Sequence, residues 1–250
     1  MSAIDADVVA EGKRLLARSA EAGVPLRLVG GVAISLRAPS ALPDVFTRSY
    51  ADLDFATARG SGGAAGRFLR DEGYVPHVAF NALHGQERLL FFDEEHDRQV
   101  DVFVGAFRMC HKIPLDERLE VDPLSIPLAE LLLTKLQVIQ LNEKDIRDAL
   151  ALVHDHPIDD RDADAVNAAR VAELCAADWG LWRTITRNLL ACRGYADAYD
   201  VPDRATLDER LDALLARIDE QPKTLAWKLR ARIGERKRWY ELPEEVAGGP

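Results

Sequence analysis

A chain of 250 residues, 48% hydrophobic and 30% charged, has the composition of a globular protein with room for one large domain or two small ones. Its three cysteines, Cys110, Cys175 and Cys192, are odd in number and irregularly spaced, which excludes a disulfide-built scaffold and fits a reducing, cytoplasmic setting. A formal net charge of −10 argues against non-specific adhesion to long DNA, and without a basic, apolar leader or a run of about 18 apolar residues, no membrane contact is expected.

Residues 4–22 carry helical periodicity, with Val8, Val9, Leu15 and Leu16 on one face. Pro25 precedes a short strand over 26–29 that runs directly into Gly30 and Gly31, and Val32 to Leu36 reads as a short helix ending before Pro39. After a loop over 38–50, the stretch Ala51 to Ala56 reads as a strand with Asp52 and Asp54 on one face and Leu53 and Phe55 on the other. The glycine-rich stretch from Gly60 to Gly66 then leads into a helix around Arg67 to Asp71, closed by Gly73.

Three further strands are expected at Tyr74 to Ala82, Glu87 to Phe92 and Gln99 to Val104. The last alternates, with Val100, Val102 and Val104 on one face and Asp101 and Phe103 on the other. Beyond Pro127 the pattern is helical throughout: Ala129 to Leu141 with Lys135 in its middle, Glu143 to His154 capped by Asn142, then 161–178, 181–199, 206–219 and 223–240. Trp179-Gly180, Pro202 and Pro222 separate the later helices, and Glu244 to Pro250 reads as a frayed tail. The fold class is therefore α+β: a mixed sheet with flanking helices over residues 1–126, followed by a helical domain over 127–250.

Two carboxylates at i and i+2 on a strand lie side by side, and a third on a neighbouring strand completes a cage of hard oxygen ligands. Asp52, Asp54 and Asp101 fit that arrangement, and Mg²⁺ is the cation it suits. Two such ions can activate an attacking hydroxyl and stabilise a leaving pyrophosphate. Gly30 and Gly31, at the junction of strand and helix, let the backbone and the first free N–H groups of the helix approach a phosphate.

With Leu28-Val29-Gly30-Gly31, Arg48 to Asp54 and Val100-Asp101-Val102, the sequence resembles the nucleotidyltransferase superfamily built on the DNA polymerase β-like fold, most closely its abortive-infection-type toxin branch. The likeness continues at Leu131 to Leu136 and Glu143 to Asp148, so that it spans roughly residues 26–155. It implies transfer of a nucleoside monophosphate from an NTP to an acceptor hydroxyl, with two Mg²⁺ ions on Asp52, Asp54 and Asp101 as metal and catalytic residues. Gly30, Gly31, Arg48, Lys135 and Asp148 would then bind the nucleotide. The acceptor it implies is an RNA 3′ end, such as that of a tRNA, or a small hydroxylated molecule. Where the superfamily often has a serine after the first glycine, this chain has Gly31, and the span from Gly31 to Asp52 is longer than in compact members.

Several of these residues have a second reading. Lys135 either holds a triphosphate or carries its ammonium out to water; Arg48 either pairs a phosphate or neutralises the acidic cluster. Asp145 either orients the triphosphate or acts as a base in place of Asp148, as the resemblance implies, or belongs to a helix-start cap with Asn142, the reading the spacing favours. Asp148 either supports the site or pairs with Lys144 at i,i+4 spacing. The basic stretch from Lys223 to Arg238 is either a solvated helix face or an RNA contact. Cys110, His111, His154 and His156 form no metal set. A different functional class is also compatible with the pattern: a non-catalytic protein that binds nucleotide or a partner on the same scaffold, as in a toxin–antitoxin pair.

Overall fold

The computed structural model describes residues 4–39, 45–46, 48–201 and 203–242. The expected tail from Glu244 and part of the 38–50 loop lie outside them. Helix α1 (Val8–Glu21) is followed by β1 (Arg27–Val29), α2 (Gly30–Arg37), β2 (Leu53–Thr57), α3 (Gly62–Asp71), β3 (Val75–Pro76), α4 (Val78–His84), β4 (Arg88–Asp93) and β5 (Arg98–Val104). A small hairpin, β6 (Ala106–Arg108) and β7 (Lys112–Pro114), leads to α5 (Leu128–Leu136) and α6 (Glu143–Asp155). Then come β8 (Ile158–Asp159), β9 (Val166–Asn167), α7 (Ala168–Ala177), α8 (Trp179–Ala198), α9 (Arg204–Glu220) and α10 (Leu225–Ile233). The class is α+β, with a mixed five-stranded sheet ordered β1-β2-β5-β4-β3.

Strands β2 and β5 run parallel with Asp54 beside Asp101, while β1 and β4 pair antiparallel on either side, placing Val29 beside Asp54 and Leu90 beside Asp101. Period-two alternation therefore sends Leu28, Leu53, Phe55, Val100, Val102 and Phe91 to one face, where all are buried. Asp54, Asp101, Phe103 and Arg88 share the opposite face. Residues 124–126 lie alongside β1, with the Leu28 N–H donating to Leu124 O at 3.0 Å and Ile126 N–H to Leu28 O at 3.1 Å. One apolar cluster runs through this sheet and on into α5 to α9.

Several expected boundaries move. The glycines at 62, 63 and 66 do not precede α3 but belong to it; a side chain at Gly62 would press on Val104, so its smallness sets how closely the start of the helix sits on the sheet. The expected strand at Tyr74 to Ala82 is mostly helix α4. The His77 imidazole accepts from the Phe80 N–H at 3.2 Å, and the Asn81 side chain bonds both the N–H and the carbonyl of Leu90; side chains thus supply the partners that a ladder would have supplied.

In the second half, residues 161–167 are not helical: 161–165 connect β8 to β9, and Val166–Asn167 pair with β8 in a short parallel ladder. Helix α5 stops at Leu136 rather than Leu141, its end held by Asn188, whose side chain donates to Leu136 O and Val138 O. Trp179-Gly180 is no break: Asp178 caps the pair as the first turn of α8, and Gly180 lets the Trp239 carbonyl approach. Helix α10 ends at Ile233, before Gly234 in the left-handed region at φ 59°. Among the described residues no helix is long and apolar enough to cross a membrane.

Candidate active site

The site begins where β1 turns into α2. Gly30 has φ 68°, and a Cβ there would overlap the Asp54 carboxylate; glycine is required both by the backbone and by the close approach. A Cβ on Gly31 would overlap the Arg48 guanidinium and the Tyr50 ring. Gly31 thus makes room for a side-chain stack, Arg48 lying over Tyr50 at 4.4 Å from the ring centroid. Val29 precedes α2 without a side-chain capping bond, so its side chain satisfies none of the first N–H groups of that helix.

Asp54 is half-buried, and among the described residues no hydrogen bond or ion pair engages its carboxylate. Burial, joined by the charges of Asp101 and Asp52, pushes its pKa up to about 6, against the opposing pull of Lys135 and Arg88. Asp52 is exposed, just before β2, and accepts from the Gln99 N–H at 3.3 Å. Asp101, buried, is engaged at both oxygens: Arg88 Nε donates to Oδ1 at 2.6 Å and Gln99 Nε2 to Oδ2 at 2.7 Å.

A second cluster comes from the helical half. Arg48 grips Asp148 in a fork, Nε to Oδ1 at 2.8 Å and Nη2 to Oδ2 at 2.6 Å, and Lys135 Nζ lies 2.8 Å from the same Oδ2. Burial would raise the Asp148 pKa, but Arg48 and Lys135 outweigh it and hold the group below its usual range. Burial likewise opposes the Lys135 ammonium, which Asp148 and Asp145 nonetheless keep charged, with a raised pKa. Lys135 therefore does not reach out to water; its side chain is only 12% exposed. Asp145 forms the expected cap, its N–H donating to Asn142 Oδ1 at 3.0 Å and its Oδ2 accepting from Asn142 Nδ2 at 2.7 Å, while its Oδ1 lies 3.5 Å from Lys135.

Arg48 thus neutralises an acid, but the acid is Asp148 of α6 and not the strand cluster. Asp148 is paired with Arg48 and Lys135 rather than with Lys144. Three residues that sequence reasoning did not single out complete the picture: Tyr50, Arg88 and Gln99. Gln99 could have been read from its i+2 spacing to Asp101; Arg88 could not, since its position depends on the register between β4 and β5.

As a cation site, Asp54 fits, being a partly desolvated carboxylate with no ion pair among the described residues, and Asp52 can join it with water and substrate oxygens completing a shell. Among the described residues no group of three or more His, Cys, Asp or Glu side chains is arranged to hold a metal ion. All three cysteines are free and buried. His111 and His156 are buried in hydrogen bonds, to Thr184 and Gln137 and to Arg37 O and Asp164 O respectively.

In the basic stretch, Lys223 Nζ binds carbonyls at the end of α9, and Arg230 packs on Trp179 at 4.7 Å while donating to Gly234 O and Lys237 O. Lys228, Arg232, Arg236, Lys237 and Arg238 stay exposed. Two open clefts flank the start of α6: one of about 580 Å³ lined by Arg48, Asn142, Glu143, Lys144 and Arg147, and one of about 450 Å³ whose lining includes Val138, Ile139, Gln140 and Tyr240. No family model matches this chain, and no curated protein matches it.

Proposed function

We propose that the chain is a magnesium-dependent nucleotidyltransferase that moves a nucleoside monophosphate from an NTP to an acceptor hydroxyl. The observation that carries this reading is Asp54: a half-buried carboxylate with no hydrogen-bond or ion-pair partner among the described residues, beside Asp101 in register and packed against a positive-φ glycine turn. Asp52 and Asp54 would hold the cation, which supplies charge neutralisation at the triphosphate and a more acidic attacking hydroxyl.

The chain's own groups account for the remainder. The uncapped start of α2 offers N–H donors to phosphate oxygens, and Lys135, held charged by Asp148, adds positive potential beside Asp54. The larger cleft at Arg48 and Lys144 suits phosphates, and the one lined by Val138, Ile139 and Tyr240 has the apolar walls and amide groups a base needs. In the transfer, the acceptor oxygen bonds to the α-phosphorus as the α–β bridging bond breaks. Pyrophosphate leaves with that electron pair. The hydroxyl proton passes to Asp101, whose oxygens each keep a lone pair beyond those given to Arg88 and Gln99.

Incubating the protein with α-labelled NTPs, Mg²⁺ and a cell extract, then separating RNA from small molecules, tests this reading and sorts the two acceptor classes. Label should appear on one class and vanish in Asp54→Asn. Undiminished labelling in both Asp52→Ala and Asp54→Ala sinks the proposal. The full engagement of Asp101 by Arg88 and Gln99 favours one other reading, a protein that binds nucleotide or a toxin–antitoxin partner without turnover. Calorimetry with each NTP would then show binding while no acceptor is labelled.

A further inference from the structure

Asp54 and Asp101 sit side by side, yet only one of them has a counter-charge. Arg88 projects from β4 on the same sheet face, opposite Phe103 and diagonal to Asp101. It gives Asp101 a single charge-assisted bond, from Nε at 2.6 Å, and its side chain is 17% exposed against 4% for that of Asp101. Its two terminal amino groups have no hydrogen-bond partner among the described residues. Its guanidinium lies 5.3 Å from the Phe103 centroid and 5.7 Å from that of Phe80, at the wall of a cavity of about 250 Å³ also lined by His84, Arg108 and Met109. Gln99 completes the hold on Asp101 from the other oxygen.

A fixed guanidinium on a carboxylate supplies the positive charge a cation would otherwise supply, and repels a cation approaching the same group. We propose that Arg88 is a built-in counter-charge for Asp101, so that the resting site takes one divalent cation, on Asp52 and Asp54, and a second only when Arg88 releases Asp101. The inference rests on the cation reading above and departs from a symmetric two-ion site. The aromatic cavity gives Arg88 somewhere to go: its flat face already lies over two phenyl rings, and a ligand oxygen bound there by the terminal amino groups would draw it from Asp101. Arg88 is on this account a positioning residue, acting on Asp101 and not on the reacting atoms.

The test is the stoichiometry and affinity of Mn²⁺ binding to the full chain without nucleotide, by calorimetry and by electron paramagnetic resonance of free Mn²⁺. Wild type should bind one ion, and Asp101→Asn should still bind one, about 10-fold or more weakly, because the Arg88 charge is then left uncompensated beside Asp54. Arg88→Gln should bind a second ion, or the first at least ~10-fold more tightly, the size expected when a neighbouring unit charge is removed from a partly buried site. Arg88→Lys should stay at one ion, because the charge is kept, and Arg88→Gln/Asp101→Asn should return to wild-type binding.

Two ions on wild type, one of them lost in Asp101→Asn, overturn the proposal and leave the nucleotidyltransferase reading intact. So does an Arg88→Gln protein that is folded by circular dichroism and still binds one ion with unchanged affinity. If Arg88→Gln does not fold, the comparison of wild type with Asp101→Asn decides alone. Absence of Mn²⁺ binding to wild type and every variant overturns this proposal together with the cation reading.

Discussion

Asp54 and Asp148 are both carboxylates withdrawn from water in one region of the molecule, and their surroundings are opposite. Asp148 has a forked arginine and a lysine against it and a depressed pKa; Asp54 has neither bond nor ion pair among the described residues and a raised one. The first is a buried charge made tolerable by its neighbours. The second is destabilising when ionised as the fold stands, which is the physical ground for proposing a cation there.

The largest expected effect that sharpens this contrast is on stability. Asp148→Asn leaves Arg48 without a carboxylate and Lys135 with only its longer contact to Asp145, and should cost about 3–5 kcal/mol in urea unfolding at pH 7, the usual range for breaking a buried pair. Because the folded pKa of Asp148 is depressed, its contribution is complete above the ordinary value of 3.8 and is lost as the pH falls through the lower folded value. The gap between variant and wild type should therefore close in acid. A variant as stable as wild type at pH 7 would show that the helical cluster is not structural.

Asp54→Asn should act in the opposite direction. Its folded pKa of about 6 lies above the ordinary 3.8, so the stability it contributes is complete below 3.8 and is lost as the pH rises through 6. Without divalent cation, the asparagine variant should gain on the order of 2 kcal/mol over wild type at pH 8, given about 1.4 kcal/mol per pKa unit and some relaxation, and nothing near pH 3.5. Adding Mg²⁺ should raise the melting temperature of wild type alone. Equal melting curves at pH 8 would remove the ground for calling Asp54 uncompensated.

Gly31→Ser installs the residue common in the resembled family at a place where its Cβ overlaps Arg48 and Tyr50. Overpacking of this kind costs about 1–3 kcal/mol, and the displaced Arg48 would loosen its fork on Asp148. If unfolding shows less than about 0.5 kcal/mol of loss, the stack is not what keeps Gly31 small.

What could be read in the sequence divides along the same line. The face shared by Asp52 and Asp54, and that shared by Asp101 and Phe103, follow from period-two alternation within one strand, so local pattern was enough. That Asp54 stands beside Asp101 depends on a parallel register between strands 47 residues apart, and that Arg88 reaches Asp101 depends on a second register, neither of which a single strand encodes. The stretch from Tyr74 to Ala82 went wrong because its apolar residues suit strand or helix equally, and side-chain bonds from His77 and Asn81 settled the matter. Lys135 was ambiguous because a lysine in an apolar helix has the same local signature whether it reaches solvent or a buried acid. Only the meeting of α5 with α6 distinguishes the two.

Asp145 lies between the two kinds of carboxylate and gives the smallest effect. It shares Lys135 with Asp148, but its principal bonds are the reciprocal pair with Asn142 at the start of α6. Burial raises its pKa, and Lys135 only partly offsets this, so the cap is what holds the carboxylate in place. Asn142→Ala removes both bonds and should cost about 1 kcal/mol, as helix caps do. Asp145→Ala should cost less, because the N–H of residue 145 still donates to Asn142 Oδ1 and Lys135 keeps its 2.8 Å contact with Asp148. The double variant should cost little more than Asn142→Ala alone, since that change already removes the side-chain bond between the two residues. Fully additive losses would mean that Asp145 serves Lys135 independently of the cap, and would move it from the helix start into the charged cluster around Asp148.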